Sequence, residues 1–303
     1  MIPKESDQKA AIPVSKGTIF WRRLATSIIL WTVILTALFS DNRVISNYFF
    51  VLVMMILAGM GLQEFYGLAS KKGYACFNCW GIFGGVCLMA FTFVYLNQTK
   101  VLAPGKINDF ESGILILFVL GLCVRQFISS SNTQGIQAIS TTLFGLMYVP
   151  WLLNFVQKIN FFPQVDGRYY VVYFILVTKF SDTGAYVVGS LFGRHKMIPR
   201  ISPGKTWEGF AGAIVTSTAA SLLYFHYLSS HLAGMNYFHA TLLGILLSIT
   251  AVVGDLIESI FKREAGVKDS GQWFPGMGGI LDILDSILFN APLMYLYLRH
   301  VLT

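Results

Sequence analysis

The sequence predicts an all-α, polytopic integral membrane protein with about nine transmembrane helices, and three observations support this fold class. Hydrophobic residues make up 55% of the 303 residues. Charged residues make up only 12%, and the mean hydropathy is +0.62, whereas a soluble domain has about 25% charged residues. The apolar residues form runs of about twenty residues, the length that a helix needs to cross a bilayer. Because the bilayer core offers no water to backbone groups, such runs span it as helices.

Nine apolar runs are candidate spans, and some of them carry acidic residues. The spans near 169–190, 239–260 and 279–301 contain Asp, which a purely lipid-facing helix would not carry. We therefore divide the chain into a cytosolic N-terminal tail (1–21), N-terminal transmembrane helices (22–168) and a C-terminal transmembrane catalytic region (169–303). The nine runs are roughly 22–40, 46–67, 80–97, 112–129, 136–156, 169–190, 208–229, 239–260 and 279–301.

The positive charge is unevenly distributed between the two sides of the membrane. With the N-terminus in the cytoplasm, 15 of the 22 Lys and Arg residues fall inside and 6 fall outside, and Lys179 lies within a span. This bias follows the positive-inside rule and argues against nucleic acid as the reason for the net charge of +7. It places the polar C-terminal segments at the cytoplasmic face of the membrane, the inner or plasma membrane if the source is bacterial.

A dense polar segment joins the last two predicted spans. Asp282 and Asp285 are spaced i, i+3 and share a helix face, and Gly278-Gly279 precedes them. A helix N-terminus favours phosphate, but nearby carboxylates would repel it unless a cation intervenes. We therefore expect Mg²⁺ at Asp255, Asp282 and Asp285, with a second cation left open. The alternative is a capping carboxylate at Asp282 beside a solvated one. Glu258 lies near Asp255 but receives no role.

Cations and further polar residues surround this segment. Lys262, Arg263 and Lys268 either anchor a helix end or hold phosphate charge. Lys179 and Asp182 form either an intrahelical ion pair or part of a site. The basic loop with Arg200, Ser202 and Lys205 favours attraction to anionic lipid.

Three other patterns carry little functional weight. Cys76 and Cys79 have the spacing of a zinc pair, but the chain lacks a second pair, so we interpret them as interfacial cysteines. Gly204-Lys205-Thr206 does not complete a phosphate-binding loop, because Pro199 stands at the first glycine position. The five histidines show no ligand spacing, and we expect none to be catalytic.

The polar segments resemble the phosphatidate cytidylyltransferase (CDP-diacylglycerol synthase) family. A second block, 181–196 followed by 201–209, also looks like that family. A weaker third similarity is Gln63-Glu64-Phe65-Tyr66 with Lys71-Lys72-Gly73. The chain departs from the pattern twice, with Met277 in place of His and Ile283 in place of Arg. The residues that match its signature are Ser259, Lys262, Arg263, Lys268, Asp269, Pro275, Gly278, Gly279, Asp282 and Asp285.

The resemblance implies transfer of a cytidylyl group from CTP to phosphatidate, giving CDP-diacylglycerol and pyrophosphate. It implies catalytic roles for Asp255, Lys262, Asp282 and Asp285. Acyl-chain preference, the choice between CTP and dCTP, and oligomeric state, a homodimer included, remain open. An ion-coupled transporter and a non-catalytic lipid-binding relative are the alternatives. The expected substrate-binding residues are Asp182, Arg200, Ser202, Lys205, Ser259, Arg263, Lys268, Asp269, Gly278 and Gly279.

Overall fold

The computed structural model describes residues 16–98, 104–129, 134–271, 273 and 278–302. In these ranges the chain is mostly helical. A π-helical turn, Met147–Trp151, contains Pro150 and joins α5 to α6, so the described chain has nine continuous helical segments. The helices are α1 Lys16–Phe39, α2 Arg43–Lys71, α3 Asn78–Gln98, α4 Pro104–Ile128, α5 Gly135–Leu146, α6 Leu152–Asn160, α7 Gly167–Phe192, α8 Trp207–Leu228, α9 Tyr237–Glu264 and α10 Ile280–Tyr297.

The predicted fold class is confirmed. Each of the nine apolar runs coincides with one helical segment. Most ends shift by four residues or fewer, whereas α1 and α4 begin six and eight residues earlier than predicted. By length and composition, seven helical segments of the described chain can cross a membrane, and the apolar part of α1, Ala25–Phe39, is shorter. The chain is therefore an integral membrane protein. Helix α1 begins at Lys16, inside the predicted tail, and residues 1–15 lie outside the described residues.

One short β-hairpin interrupts the helices where we expected an irregular basic loop. Strands β1 (Lys196–Ile198) and β2 (Ser202–Thr206) pair antiparallel, with Lys196 opposite Thr206 and Ile198 opposite Ser202. The Thr206 hydroxyl then accepts a hydrogen bond from the Gly209 N–H (3.1 Å) and caps α8. Because the strand runs directly into a capped helix, the side chains of β2 have fixed positions relative to the helix bundle.

Helices α7 to α10 pack in sequence, and α10 also contacts α2 and α6 from the N-terminal half. Small residues allow close approach: the Ser217 hydroxyl donates to the Gly244 carbonyl across α8 and α9 (2.7 Å), and a side chain at Gly184 would overlap Thr216. The bundle thereby brings the end of α9 and the start of α10 beside β2.

A buried ion pair lies away from this region, between α4 and α6. Lys158 contacts Glu111, and both side chains are almost fully buried. The Asn154 amide donates to Glu111 (2.7 Å) and to Thr92 (2.9 Å), so the carboxylate has neutral partners as well. Lys158 is one of the six cations that the charge distribution places outside the membrane, whereas its ammonium group is buried inside the protein.

We expect Lys158→Met to destabilise the protein. Removing one member of a buried pair leaves the other charge without compensation, which costs about 3–5 kcal/mol. Thermal unfolding of the detergent-purified variant measures this loss. Lys71→Met, at an exposed lysine, is the matched control. Equal unfolding temperatures for the two variants would contradict a stabilising role for the pair.

Candidate active site

A cavity of 570 Å³ lies among α7, the β-hairpin, α8, α9 and α10. Its wall is apolar where α7 and α8 approach each other and charged where α9 meets α10. The residues that line it are Asp182, Ala185, Tyr186, Gly189, Ser190, Met197, Ser202, Gly204, Lys205, Thr206, Gly209, Phe210, Val252, Asp255, Lys262, Asp282 and Asp285. Seven of the predicted site residues therefore line one cavity: Asp182, Ser202, Lys205, Asp255, Lys262, Asp282 and Asp285.

The first of two lysines reaches the cavity from β2. The Lys205 ammonium group lies 3.0 Å from Asp255 Oδ2 and donates to the Val252 carbonyl (3.1 Å). Its side chain is 19% exposed, so the charge is only partly screened by solvent. The Ser259 hydroxyl, one turn along α9, faces the other oxygen of Asp255 (3.4 Å). The hairpin therefore fixes a cation beside a carboxylate that α9 supplies.

The second lysine lies between two carboxylates. Lys262 Nζ is 2.6 Å from Asp282 Oδ1, and it also contacts Glu258 one turn earlier on α9. The i, i+4 spacing of Glu258 and Lys262 puts both on the face of α9 that meets α10. A cation at this position reduces the repulsion between the two helices' carboxylates.

Asp282 fixes the start of α10. Its Oδ2 accepts hydrogen bonds from the Gly279 N–H (2.7 Å), the Ser270 N–H (3.1 Å) and the Ser270 hydroxyl (2.9 Å). Gly278 adopts φ +93°, which glycine accommodates without strain. The capping interpretation of Asp282 is thus part of the structure, and the same carboxylate also faces Lys262.

The expectation of open N–H groups at the start of α10 is not met. The Gly279 N–H donates to Asp282, and the Ile280 and Leu281 N–H groups donate to Glu64 on α2 at 2.9 Å each. The favourable end of the helix dipole is therefore already occupied by protein carboxylates. In this arrangement phosphate would be held by side chains and not by this helix end.

A compact group of carboxylates lies next to Lys262. Oxygens of Asp255, Glu258 and Asp285 all lie within 4.8 Å of one another. Asp285 Oδ1 accepts from the Ser286 N–H (2.5 Å) and hydroxyl (2.9 Å), and that hydroxyl is also 3.3 Å from Asp182. Three oxygen ligands at this spacing suit a hard cation such as Mg²⁺.

Glu258 strengthens the case for a cation. Its side chain is buried, and its Oε1 has no hydrogen-bond partner among the described residues. A buried carboxylate oxygen without a donor is costly, and a bound cation would satisfy it. Glu258 was not among the residues predicted to bind the cation. The available signal was its i, i+3 spacing from Asp255, which repeats the spacing of Asp282 and Asp285.

Asp182 lies on the α7 side of the cavity. Lys179 is 3.4 Å from Asp182 Oδ2 and donates to the Ile283 carbonyl on α10 (3.2 Å). The intrahelical ion pair and the site role that the sequence left open are therefore both compatible with the structure. Ile283, the second departure from the family pattern, takes part here through its backbone.

Other predicted site residues do not line this cavity in the described part of the chain. Arg200, Lys268 and Asp269 are exposed, and Arg263 donates to the Ile201 carbonyl (3.2 Å) and to the Val267 carbonyl (3.4 Å). Arg263 thus joins the end of α9 to the hairpin. Met277 and Pro275 of the signature lie outside the described residues.

A second contact joins this region to the N-terminal half. The Tyr74 hydroxyl, between α2 and α3, donates to Glu264 at the end of α9 (2.5 Å). This hydrogen bond raises the pKa of the exposed Tyr74 hydroxyl, because the nearby carboxylate stabilises its protonated form. The N-terminal helices therefore contact the site region at α10 and at the end of α9.

The fold and the cavity define a class: a polytopic membrane protein whose last helices enclose lysines and clustered carboxylates. The family model described as "Cytidylyltransferase family" matches residues 21–301, and the chain belongs to that family.

Individual relatives are similar over much of the chain. A Staphylococcus haemolyticus protein named phosphatidate cytidylyltransferase is 33% identical over 241 residues, which cover 72% of this chain and 92% of that protein. A Staphylococcus epidermidis protein of the same name is 35% identical over 243 residues, 71% of this chain and 91% of that protein. An Escherichia coli protein named YnbB, described as uncharacterized, is 32% identical over 199 residues, 64% of this chain and 65% of that protein.

We expect Lys262→Met to unfold at a lower temperature than the wild type. The change leaves Glu258 and Asp282 facing each other without the cation, and breaking a buried pair costs about 3–5 kcal/mol. Adding Glu258→Gln to this variant should recover part of the loss, because it removes one of the two charges. Thermal unfolding in detergent reports both effects, with Lys268→Met, at an exposed lysine shortly after α9, as the control. A double variant no more stable than Lys262→Met would contradict the assignment.

Proposed function

We propose that this chain transfers a cytidylyl group from CTP to phosphatidate and releases CDP-diacylglycerol and pyrophosphate. Two relatives are named phosphatidate cytidylyltransferase, and the match to this chain spans more than nine tenths of the length of each. The observation that carries the proposal is that two lysines, Lys205 and Lys262, line one cavity together with Asp255, Asp282 and Asp285. The buried Glu258 contacts Lys262 beside this cavity. Phosphoryl and nucleotidyl transfer depend mainly on positioning and charge stabilisation, which this set supplies.

The lysines are the groups that would bind phosphate oxygens. Both are currently paired with carboxylates: Lys205 with Asp255, and Lys262 with Glu258 and Asp282. Each is on a different element, β2 and α9, so together they would hold a polyphosphate from two sides. Lysine acts as a compact point charge with three rotatable donors, which suits a phosphate chain of variable conformation.

The carboxylates are the groups that would hold a divalent cation. Asp255, Glu258 and Asp285 form the compact set, and Asp282 is engaged by Lys262 and the start of α10. We therefore extend the expected ligand set by Glu258. A cation bound there would offset the negative charge of the triphosphate and of the leaving pyrophosphate. The cation would also neutralise carboxylates that now pair with Lys205 and Lys262. Both lysines would then be free to bind phosphate.

The nucleophile would be a phosphate oxygen of phosphatidate, which attacks the α-phosphorus of CTP. The bond between the α- and β-phosphates breaks, and pyrophosphate leaves with the electron pair. The second ionisation of a phosphate monoester has a pKa of about 6, so this oxygen is largely ionised at neutral pH and needs no strong general base. Tyr186, Phe210 and Val252 line the apolar part of the cavity, where a lipid would approach. Tyr186 is 71% exposed on the surface of α7.

The direct test uses purified protein in lipid–detergent micelles with labelled CTP and phosphatidate. We expect CDP-diacylglycerol and pyrophosphate in equal amounts with Mg²⁺, and no product after exhaustive chelation. Diacylglycerol, which lacks the attacking phosphate, is the control acceptor. Product formed equally well with diacylglycerol, or no product with any phosphatidate, would contradict the proposed reaction.

Glu258→Gln should weaken Mn²⁺ binding by at least about tenfold, because it removes one charged oxygen ligand while keeping the shape of the side chain. Titration of Mn²⁺ followed by electron paramagnetic resonance measures the affinity. Glu264→Gln, at an exposed carboxylate on the same helix, should bind Mn²⁺ like the wild type. Equal Mn²⁺ affinity in Glu258→Gln and Glu264→Gln would remove Glu258 from the ligand set.

We also propose that the cavity faces the cytoplasm, where nucleotides are present. The distribution of Lys and Arg supports this orientation. Pro203 on the hairpin and Lys268 after α9 are exposed and suit single-cysteine substitution in a background lacking the four native cysteines. Pro203→Cys and Lys268→Cys should react with an impermeant thiol reagent only after the membrane is opened. Reaction of either in intact cells would reverse the topology.

A further inference from the structure

Glu64 is a buried carboxylate in the N-terminal half of the chain. It lies on α2 and is 6% exposed, within a helix long and apolar enough to cross a membrane. An acidic side chain in such a helix is costly unless its oxygens are hydrogen-bonded. The energetic cost of burying this carboxylate indicates that Glu64 has a specific role, which its hydrogen-bond partners define.

The partners of Glu64 belong to the start of α10 and to the segment before it. Oε1 accepts from the Ile280 N–H, and Oε2 accepts from the Leu281 N–H and from the Ser270 hydroxyl, each at 2.9 Å. A carboxylate that accepts the first N–H groups of a helix stabilises that helix end by charge and by hydrogen bonding. Glu64 thus caps α10 from a different helix, more than 200 residues earlier in the chain.

The same hydroxyl connects Glu64 to Asp282. Ser270 Oγ is 2.9 Å from Glu64 Oε2 and 2.9 Å from Asp282 Oδ2, and it has a single proton to share between them. Asp282 in turn faces Lys262 at 2.6 Å. A continuous chain of contacts therefore runs from α2 to the lysine that lines the cavity.

Two glycines provide an independent sign that the Glu64 carboxylate has a built position. A Cβ added at Gly271 would overlap Glu64, and one added at Gly279 would overlap both Glu64 and Ser270. The backbone at these two glycines is thus shaped around the Glu64 carboxylate. A side chain at position 279 would therefore disturb both the Glu64 carboxylate and the Ser270 hydroxyl.

We infer that Glu64 is a positioning residue for the transfer reaction: by capping α10 it sets the place of Asp282 against Lys262. The inference rests on the proposed function. Glu64 does not line the cavity that the described residues enclose, so it acts through Ser270 and Asp282. Loss of Glu64 should therefore reduce turnover and leave the affinity for CTP nearly unchanged.

The test compares Glu64→Gln with Gln63→Ala, an exposed neighbour on the same helix. Glu64→Gln keeps the size of the side chain but can offer only one accepting oxygen. We expect kcat to fall by about 10–100-fold, as for other residues that orient a catalytic group. We expect the KM for CTP to change by less than about threefold, because no cavity contact is lost. Gln63→Ala should match the wild type in both.

Two further readouts separate positioning from general destabilisation. Amide hydrogen exchange of peptides over 278–288 should become faster in Glu64→Gln and not in Gln63→Ala, while the unfolding temperature stays close to that of the wild type. Ser270→Ala should lower kcat similarly, and the double variant Glu64→Gln/Ser270→Ala should be no slower than the slower single one, because both act through one contact chain. Multiplying effects would overturn the inference.

The outcomes distinguish this inference from the proposed function. If the wild type does not make CDP-diacylglycerol, the proposed function fails, and hydrogen exchange alone decides whether Glu64 caps α10. If the wild type is active, unchanged kcat in Glu64→Gln overturns the positioning role. A loss of activity that only follows a lowered unfolding temperature overturns it as well.

Discussion

The structure depends on the balance of charge where α9 ends and α10 begins. Asp255, Glu258 and Asp285 have oxygens within 4.8 Å of one another, in a bundle of apolar helices. Carboxylates that close repel each other strongly when water is scarce. Lys262 bridges the two helices, Lys205 supplies a second cation at Asp255, and the Ser270 and Ser286 hydroxyls hold Asp282 and Asp285 in place.

This constraint explains why elements distant in sequence meet here. The hairpin carries Lys205 to Asp255, and its direct continuation into the capped α8 keeps it there. Helix α2 contributes Glu64 to the start of α10, and the Tyr74–Glu264 hydrogen bond attaches the next loop to the end of α9. The N-terminal helices are therefore part of the scaffold of the site, although the family signature lies in the C-terminal half.

Much of this arrangement could be predicted from the sequence. Twenty-residue apolar runs have few alternatives in a bilayer, so the nine helical segments were predictable. Local spacing also predicted that Asp282 and Asp285 lie near each other and that Lys262 lies at the end of α9. The position of Lys205 on a β-strand was not predictable. The five residues of β2 contain both Pro203 and Gly204, which are unusual in strands.

Contacts between distant helices were beyond local patterns. Glu64 matched the family pattern only weakly. Nothing near it in the chain shows that it contacts the start of α10, 216 residues later, and caps that helix. The occupied N–H groups at Ile280 and Leu281 were unforeseen for the same reason. Glu258 was visible in the sequence, but only the packing of α9 on α10 reveals that one of its oxygens is buried without a donor.

We expect the carboxylates and the lysines to form one site in which a divalent cation and the triphosphate support each other's binding. Isothermal titration of CTP into the purified protein, with and without Mg²⁺, tests this most directly. After chelation we expect weak or undetectable CTP binding, because both lysines remain paired with carboxylates. With Mg²⁺ present we expect CTP to bind at least about tenfold more tightly. Equal CTP affinity with and without Mg²⁺ would contradict it.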